Sequence, residues 1–479
     1  MINPAVVVLA HNRPEDLEKV LHSLMSLHNI VKNYKVYVSM DDPSFFSALE
    51  SVARSISPHI KFWHSTRPNI QRGALYKISA HFEFALESGF EQNQHSHLIL
   101  LEDDLIVAHD FLQLFESTAW LLDDDTKNTW CVSAWNDNGL KATTTTGVVS
   151  GGHLRGGEEG GGGGGGGVVV HDARRRLLRT GYFPGLGWMT TQRMWREELK
   201  SIWPKHPSTG WDHYIRQQTE TSGKRECIYP EIPRTRHISK HGSNVNTADQ
   251  VQRFALYNFH EDDTFNDDDH PFGDTSYLRS DMYHRRMSSM VRNAQVVRSI
   301  NDIAASSSSS QKNKKVALVY YYLRENFESL CRQISLPRTQ PRGWHRGVLQ
   351  TRVPGSPTVL LLIDKRTDDY VPEKERLLRP EGVVAVGGGN GENCDVVCQK
   401  RGGGKRCSKE SLEFLNKCTE LKKIFHCENG CGHQVGAEIP CYVEDRNQPT
   451  HHQCLVTDGG GAMSCKSSHK STQRLCGCV

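Results

Sequence analysis

The stretch that most constrains this chain runs from His97 to Asp104, His-Leu-Ile-Leu-Leu-Glu-Asp-Asp. Leu98 to Leu101 are consecutive apolar residues, the pattern of a short strand buried on both faces. Three carboxylates follow without a break. Glu102, Asp103 and Asp104 repel one another and resist leaving water, so at the end of a buried strand they need a cation or solvent beside them. Alone, the triplet is equally a solvated loop. The choice rests on what else the chain brings to the same edge.

Strand and helix patterns alternate through the first part of the chain. Ala5 to Ala10 reads as a buried strand, and Asn12-Arg13-Pro14-Glu15 as a helix start with Asn12 as the cap. Leu17, Val20, Leu21 and Leu24 recur at helical spacing, Tyr34 to Met40 is a second strand ending in Asp41-Asp42, and Ile60 to His64 is a third. A helix carrying Leu75, Ile78, Phe82, Ala85 and Leu86 precedes the opening stretch, a helix through Phe111 to Leu121 follows it, and Trp130 to Trp135 is a further strand. This order predicts an α/β fold with a mostly parallel sheet covered by helices on both faces. Polar groups then end several strands: Asn12 and Arg13, Asp41 and Asp42, Glu102 to Asp104, Asn136 and Asp137. Ligands of open parallel sheets bind beyond those carboxyl ends, and acidic groups converging there favour a divalent cation near Asp104. Oxygen ligands suit Mg or Mn.

The first turn, His-Asn-Arg-Pro, contains neither Gly-x-Gly-x-x-Gly nor Gly-Lys-Ser/Thr, which argues against a dinucleotide dehydrogenase or a P-loop enzyme. A diphosphate here would depend on a cation and an arginine such as Arg13, which by itself is as readily a surface residue at a helix start. The 479 residues exceed what one core can hold, so two or three domains are expected. A net charge of +3 gives no reason to expect a nucleic-acid partner. No apolar run is long enough to span a membrane, so contact with one is expected only through an anchor missing from this chain.

Further on, an unbroken glycine run from Gly160 to Gly167 marks an insertion over 150–178, read as disordered and assigned no chemistry. Order resumes at Tyr182 to Met189, whose glycines allow close backbone approach beside an aromatic. Trp203-Pro204-Lys205 and Gly210-Trp211-Asp212-His213 follow. An Asp beside a Trp is partly desolvated, which raises its pKa and suits a general base; the plainer reading of Asp212 is the cap of a helix beginning at His213. His237 to Asn246 reads as a mobile loop, Asp262 to Asp269 is acidic, and Ser306 to Ser310 marks a linker. Of 14 cysteines only Cys131, Cys227 and Cys331 precede the tail, whose density reads as a disulfide framework, with zinc as the competitor.

Taken together, Leu-Glu-Asp-Asp-Leu at 101–105, Ser-Ala-Trp-Asn-Asp-Asn-Gly at 133–139, Phe-Pro-Gly-Leu-Gly-Trp at 183–188, Trp-Pro-Lys at 203–205 and Trp-Asp at 211–212 resemble, in this order, the N-acetylglucosaminyltransferase I family. The related protein O-mannose β-1,2-N-acetylglucosaminyltransferases share most of them. The resemblance implies a GT-A (Rossmann-like) glycosyltransferase domain over 1–300 and a small C-terminal module over 315–385, which contains Gly343 to Leu349 and Val359 to Ile363; the serine run sets a Ser-rich linker at 301–314 between them, and the cysteine density a cysteine-rich domain over 386–479. The resemblance also implies an inverting transfer of N-acetylglucosamine from UDP-GlcNAc to a mannose 2-hydroxyl of a glycoprotein, with Mn2+, in the Golgi lumen at the membrane. Asp104 matches the direct Mn2+ ligand, and Glu102 and Asp103 the contacts to the sugar and ribose side of the donor. Arg13 matches the arginine that meets the diphosphate, Asp41 and His81 the residues that recognise uridine, Trp211 the aromatic beside the transferred sugar and Asp212 the catalytic base. Ser239 to Asn246 matches a segment that orders over the donor, and Cys131 and Cys227 a bridged pair.

Three features depart from the family pattern: His213 stands where transferase I members carry a second acid, the glycine insertion separates two motifs, and the anchor is missing. Asn244-Val245-Asn246 leans toward the O-mannose enzymes and Asn136-Asp137-Asn138-Gly139 toward the N-glycan ones, so both acceptors stay open, as does an inactive glycan-binding protein. The tail, with Cys394-Asp395-Val396-Val397-Cys398 and Arg474-Leu475-Cys476-Gly477-Cys478, resembles the cysteine-rich C-terminal region of N-acetylglucosaminyltransferase V.

Overall fold

The computed structural model describes residues 3–65, 73–144, 173–205, 207, 210–222, 225–239, 247–261, 271–297, 300, 303, 316–321, 324–337, 342–354, 356, 358–365, 367, 369–372, 381–457 and 463–479. Most of the glycine-rich segment, Ser239 to Asn246 beyond its first residue, the acidic run at 262–269 and the serine run at 306–310 lie outside them.

The first strands are β1 (Pro4–Ala10), β2 (Lys35–Met40), β3 (Lys61–His64), β4 (His97–Glu102) and β5 (Leu105–Val107); β6 (Thr129–Ser133), β7 (Leu177–Thr180), β8 (Trp188–Thr191), β9 (Glu226–Pro230) and β10 (Thr235–His237) complete the set. Eight of them form one sheet in the order β3-β2-β1-β4-β8-β6-β9-β7. β3, β2, β1 and β4 are mutually parallel, and β6 pairs parallel with β9. β8 enters antiparallel between β4 and β6, and β7 closes the edge antiparallel to β9. The expected mostly parallel sheet is therefore present.

Period-two alternation explains the continuous apolar runs. Val6, Val8, Ile99 and Leu101 face one core, with the helices Pro14–Met25 and Phe111–Asp124, while Ala5, Val7, Leu98 and Leu100 face the other, with the helix Ala74–Glu87. Cys131 and Cys227 sit opposite each other on β6 and β9 and are disulfide-bonded.

A second sheet has the order β11 (Gln295–Val296), β12 (Val316–Tyr321), β15 (Val359–Asp364), β14 (Val348–Arg352), β13 (Trp344–His345). Because β11 pairs with β12, this module begins ahead of the 301–314 segment, not at 315. β13 and β14 form a tight hairpin whose two turn residues, Arg346 and Gly347, have φ of 47° and 81°, the left-handed pair that matches strand twist. Buried ion pairs join this module to the first domain: Arg352 and Arg176 both meet Glu231, and His345 meets Glu226 at 2.7 Å.

The cysteine-rich domain is a five-stranded sheet of β16 (Val384–Asn390), β17 (Cys431–His433), β18 (Cys441–Val443), β19 (Cys454–Val456) and β20 (Thr472–Cys478), starting just ahead of the expected 386. Its cysteines pair as 394–476, 398–478, 407–465, 418–431 and 427–454, leaving Cys441 as a buried thiol. Asp395 lies near Cys407 and Cys465, but those sulfurs are bonded to each other and offer no thiolate, so the disulfide reading holds over zinc there.

Candidate active site

Parallel pairing brings the carboxyl ends of β1, β2 and β4 to one edge. Leu9 is in register with Glu102, and the Asp103 amide donates to the Leu9 carbonyl at 3.0 Å, so the acidic turn is tied to the end of β1. The His11 amide donates to Asp103 Oδ2 at 3.2 Å. Pro14 occupies the first turn of the helix Pro14–Met25 and Arg13, not Asn12, is its N-cap residue, with no side-chain cap bond. A proline that fixes φ needs no capping acceptor for its missing N–H. The Arg13 guanidinium instead reaches across to Asp103 and to Asp104, the latter at 2.7 Å.

A second pair of strands completes the edge. β5 follows the acidic turn and pairs antiparallel with β10, placing His237 opposite Leu105. His237 Nε2 lies 3.3 Å from Asp104 Oδ2, and its ring stacks on Phe254 at 4.4 Å. Behind the strands, Arg234 and Asp110 form an enclosed ion pair, 2.8 Å at its shortest and joined by His260, that clamps the entry to β10 against the exit of β5.

At the end of β2, Asp41 accepts from His11 Nδ1 at 2.7 Å and lies 3.6 Å from His81 Nδ1, while His81 Nε2 meets Ser39 Oγ at 3.0 Å. His81 is held by the helix Ala74–Glu87, itself fixed by Trp203-Pro204-Lys205. The Trp203 indole donates to the Ser79 carbonyl at 3.1 Å, Ser79 Oγ donates to the Pro204 carbonyl at 2.7 Å, and Lys205 pairs with Glu83.

These groups enclose a cavity of about 510 Å³ lined by Arg13, Asp41, His81, Glu102, Asp103 and Asp104, together with His11, Lys77, Phe82, Leu186, His237 and Phe254. The expected diphosphate, uridine, sugar and metal residues therefore share one wall. Trp211 does not. It is 6% exposed and packs on the cavity's Phe82 at 4.4 Å, inside a cluster with Trp203, Phe183 and Trp188. Asp212 is not on the wall either, yet it is near enough to add to the negative field on Glu102. The helix begins at Trp211 rather than His213, so Asp212 belongs to its first turn. Its carboxylate is 36% exposed and paired with Arg216 at 2.6 Å, not enclosed by tryptophan alone. Arg216 is itself fixed by the Phe183 carbonyl at 2.8 Å and by the face of Tyr182 at 4.5 Å. Asp137, expected at the same edge, is buried and drawn off into a pair with the partly exposed Arg342.

The electrostatics separate the carboxylates. Burial, reinforced by Asp104 and Asp103, pushes Glu102 up to about 8. Burial also pushes Asp103 to about 6 against the opposing charge of Arg13. Burial works on Asp104 as well, but the His237 hydrogen bond and charge, with Arg13, hold it below the usual carboxylate range. Asp41 is likewise held low, burial being outweighed by His11 and His81, and its hydrogen bond raises His11 against burial. Three carboxyl groups facing one guanidinium leave negative charge to neutralise, and an aspartate oxygen beside an imidazole nitrogen is a donor set that Mn2+ accepts.

His237 and His11 are the groups that sequence reading passed over. His11 stands in the same turn as Arg13, and His237 ends a short strand of polar residues; only the pairing of β10 with β5 makes the second a neighbour of Asp104.

The chain matches the GNT-I family over residues 1–149 and 163–374. An alpha-1,3-mannosyl-glycoprotein 2-beta-N-acetylglucosaminyltransferase of Arabidopsis thaliana is 31% identical over 304 residues, 61% of this chain and 59% of that protein. The chain thus spans about three fifths of the length of this relative. Among solved structures, S. aureus TarS 1-349 in complex with UDP-GlcNAc is similar at 10% identity and a TM-score of 0.30, covering 53% of this chain and 66% of that one. Mannosyltransferase PcManGT from Pyrobaculum calidifontis in complex with GDP-Man and Mn2+ is similar at 15% identity and a TM-score of 0.29, covering 48% and 57%.

Proposed function

Because the chain belongs to the GNT-I family, we propose that it is an inverting glycosyltransferase that moves N-acetylglucosamine from UDP-GlcNAc to the 2-hydroxyl of a mannose in a β-1,2 linkage. Its acceptor is the α-1,3 arm of a Man5 N-glycan, the class that the name of the Arabidopsis relative supports. The observation that carries the reading is the convergence of Arg13, Asp41, His81, Glu102, Asp103 and Asp104 on one cavity.

In this account Asp41, braced by His11 and His81, binds the uridine, and Arg13 supplies positive charge to the diphosphate. Glu102 and Asp103 face the sugar and ribose side. Asp104, with His237 beside it, would hold Mn2+. When bound, that ion offsets the charge developing on the departing UDP. Trp211 shapes the sugar side of the cavity through Phe82, on which it packs. Asp212, oriented by Arg216, takes the proton from the attacking hydroxyl as that oxygen displaces UDP from the opposite face of the sugar. The reaction takes place in the Golgi lumen, a reading that the family supports and with which the disulfides of an oxidising compartment agree. Among the described residues no helix is long and apolar enough to cross a membrane.

The test offers purified protein, UDP-GlcNAc and Mn2+ a Man5 N-glycan and an O-mannosyl peptide side by side. Transfer to the N-glycan is expected. Preference for the peptide would move the acceptor to O-mannosyl protein, and binding of either glycan without consumption of UDP-GlcNAc would replace the enzyme by a lectin.

A further inference from the structure

The match to the family ends at residue 374, and the cysteine-rich domain beginning at Val384 lies beyond it. That domain is nevertheless seated on the catalytic one. Strand β17 packs against the helix Trp211–Ser222, whose first turn carries Asp212. His433 ends β17, near enough to the residue next to Asp212 for its charge to act there: burial first, then the charges of Arg216, His433 and Arg342, lower the pKa of His213 against the pull of Asp212. Both imidazoles are partly exposed, and Asp212 keeps 36% of its side-chain surface open on the same turn. The strand therefore borders the turn on which Asp212 is open to an acceptor hydroxyl.

We propose that the cysteine-rich domain forms part of the acceptor site, with His433 and His213 as positioning residues that hold hydroxyls of a mannose-containing glycan beside Asp212. The inference rests on the transferase reading. A neutral imidazole donates from one ring nitrogen and accepts at the other, which matches sugar hydroxyls that do both. The strand is a stiff support. Cys431 is bridged to Cys418, and its partner in register on β19, Cys454, is bridged to Cys427. A wall fixed before binding spares the complex the entropy of ordering it.

Steady-state kinetics of the full chain with UDP-GlcNAc and a Man5 N-glycan test this through His433→Ala and His433→Gln, with circular dichroism melting to establish folding. His433→Ala is expected to raise the acceptor KM about tenfold, equivalent to about 1.4 kcal/mol, without a comparable rise in the donor KM. His433→Gln, which keeps a donor and an acceptor, is expected to recover part of the loss. Should Ala impair folding, the Gln variant carries the comparison, with a smaller rise in acceptor KM. An unmoved acceptor KM in a folded variant overturns the inference, as does a parallel rise in both KM values. Absence of transfer by the parent chain overturns the transferase reading itself, and this inference with it.

Discussion

Asp110 and Arg234 give the sharpest test of how the fold holds the site. Both are fully buried, and Arg234 meets both Asp110 carboxylate oxygens through Nε and Nη2 at 2.8–3.0 Å. The pair lies where β5 ends and β10 begins, so it sets the spacing of the two strands that bring His237 to Asp104. Asp110→Asn keeps the shape and one acceptor but leaves the guanidinium without its counter-charge. Removing one member of a buried pair costs about 3–5 kcal/mol, and because one hydrogen bond survives we take the lower end, about 3 kcal/mol. At roughly 2 °C per kcal/mol for a domain of this size, the first melting transition should fall by about 6 °C. UDP affinity in the presence of Mn2+, read by calorimetric titration, should weaken as well, because β10 loses its anchor. Asp281→Asn, which removes an exposed partner of Arg285, serves as the control and should leave both quantities unchanged. An Asp110→Asn protein that melts with the parent and binds UDP equally well would refute the argument that this pair supports the site.

Acid should act through the same buried carboxylates. Burial works against both, but Arg234 and His260 hold Asp110 below its ordinary range, and His345 and Arg179 bring Glu226 to about 2. Folded-state pKa values depressed in this way add stability that is complete above about pH 5 and lost as pH falls through about 4 toward 2; urea midpoints across that window should fall, and a flat profile would contradict the assignment. Asp41→Asn should weaken UDP binding about tenfold by removing a charged acceptor, with equal affinities in calorimetry as the contrary result. Gly187 has φ of 81° and an added Cβ would sit 2.7 Å from Thr235 Cγ2, so Gly187→Ala should cost about 2 kcal/mol in denaturant unfolding, whereas a neutral effect would mean that the chain relaxes there freely.

Local patterns foretold what local physics decides. The run Leu98 to Leu101 is buried on both faces, as continuous apolar residues in a parallel strand must be, and the carboxylates after it border the cavity. The Trp-Pro-Lys motif could be seen but not interpreted, because its role is to fix a helix far away in sequence, through Ser79 and Glu83. The same holds for His237, whose place depends on β10 pairing with β5, and for Trp211, which supports Phe82 from behind and does not line the cavity. Asn12 has the composition of a helix cap, but Pro14 and the pull of Asp103 and Asp104 on Arg13 shape that turn differently. Disulfide pairing in the tail was beyond sequence reasoning, since cysteine spacing admits many connectivities and only the sheet selects among them.

The central claim is that Asp212 removes the acceptor proton while a separate wall, ending at Asp104, holds the donor. Asp212→Asn with UDP-GlcNAc, Mn2+ and a Man5 N-glycan tests it most directly, with transfer and UDP binding measured on the same preparation. The account predicts that transfer falls by about a hundredfold or more, the usual contribution of a positioned base, while UDP affinity stays as in the parent; full transfer by the Asn variant would contradict it.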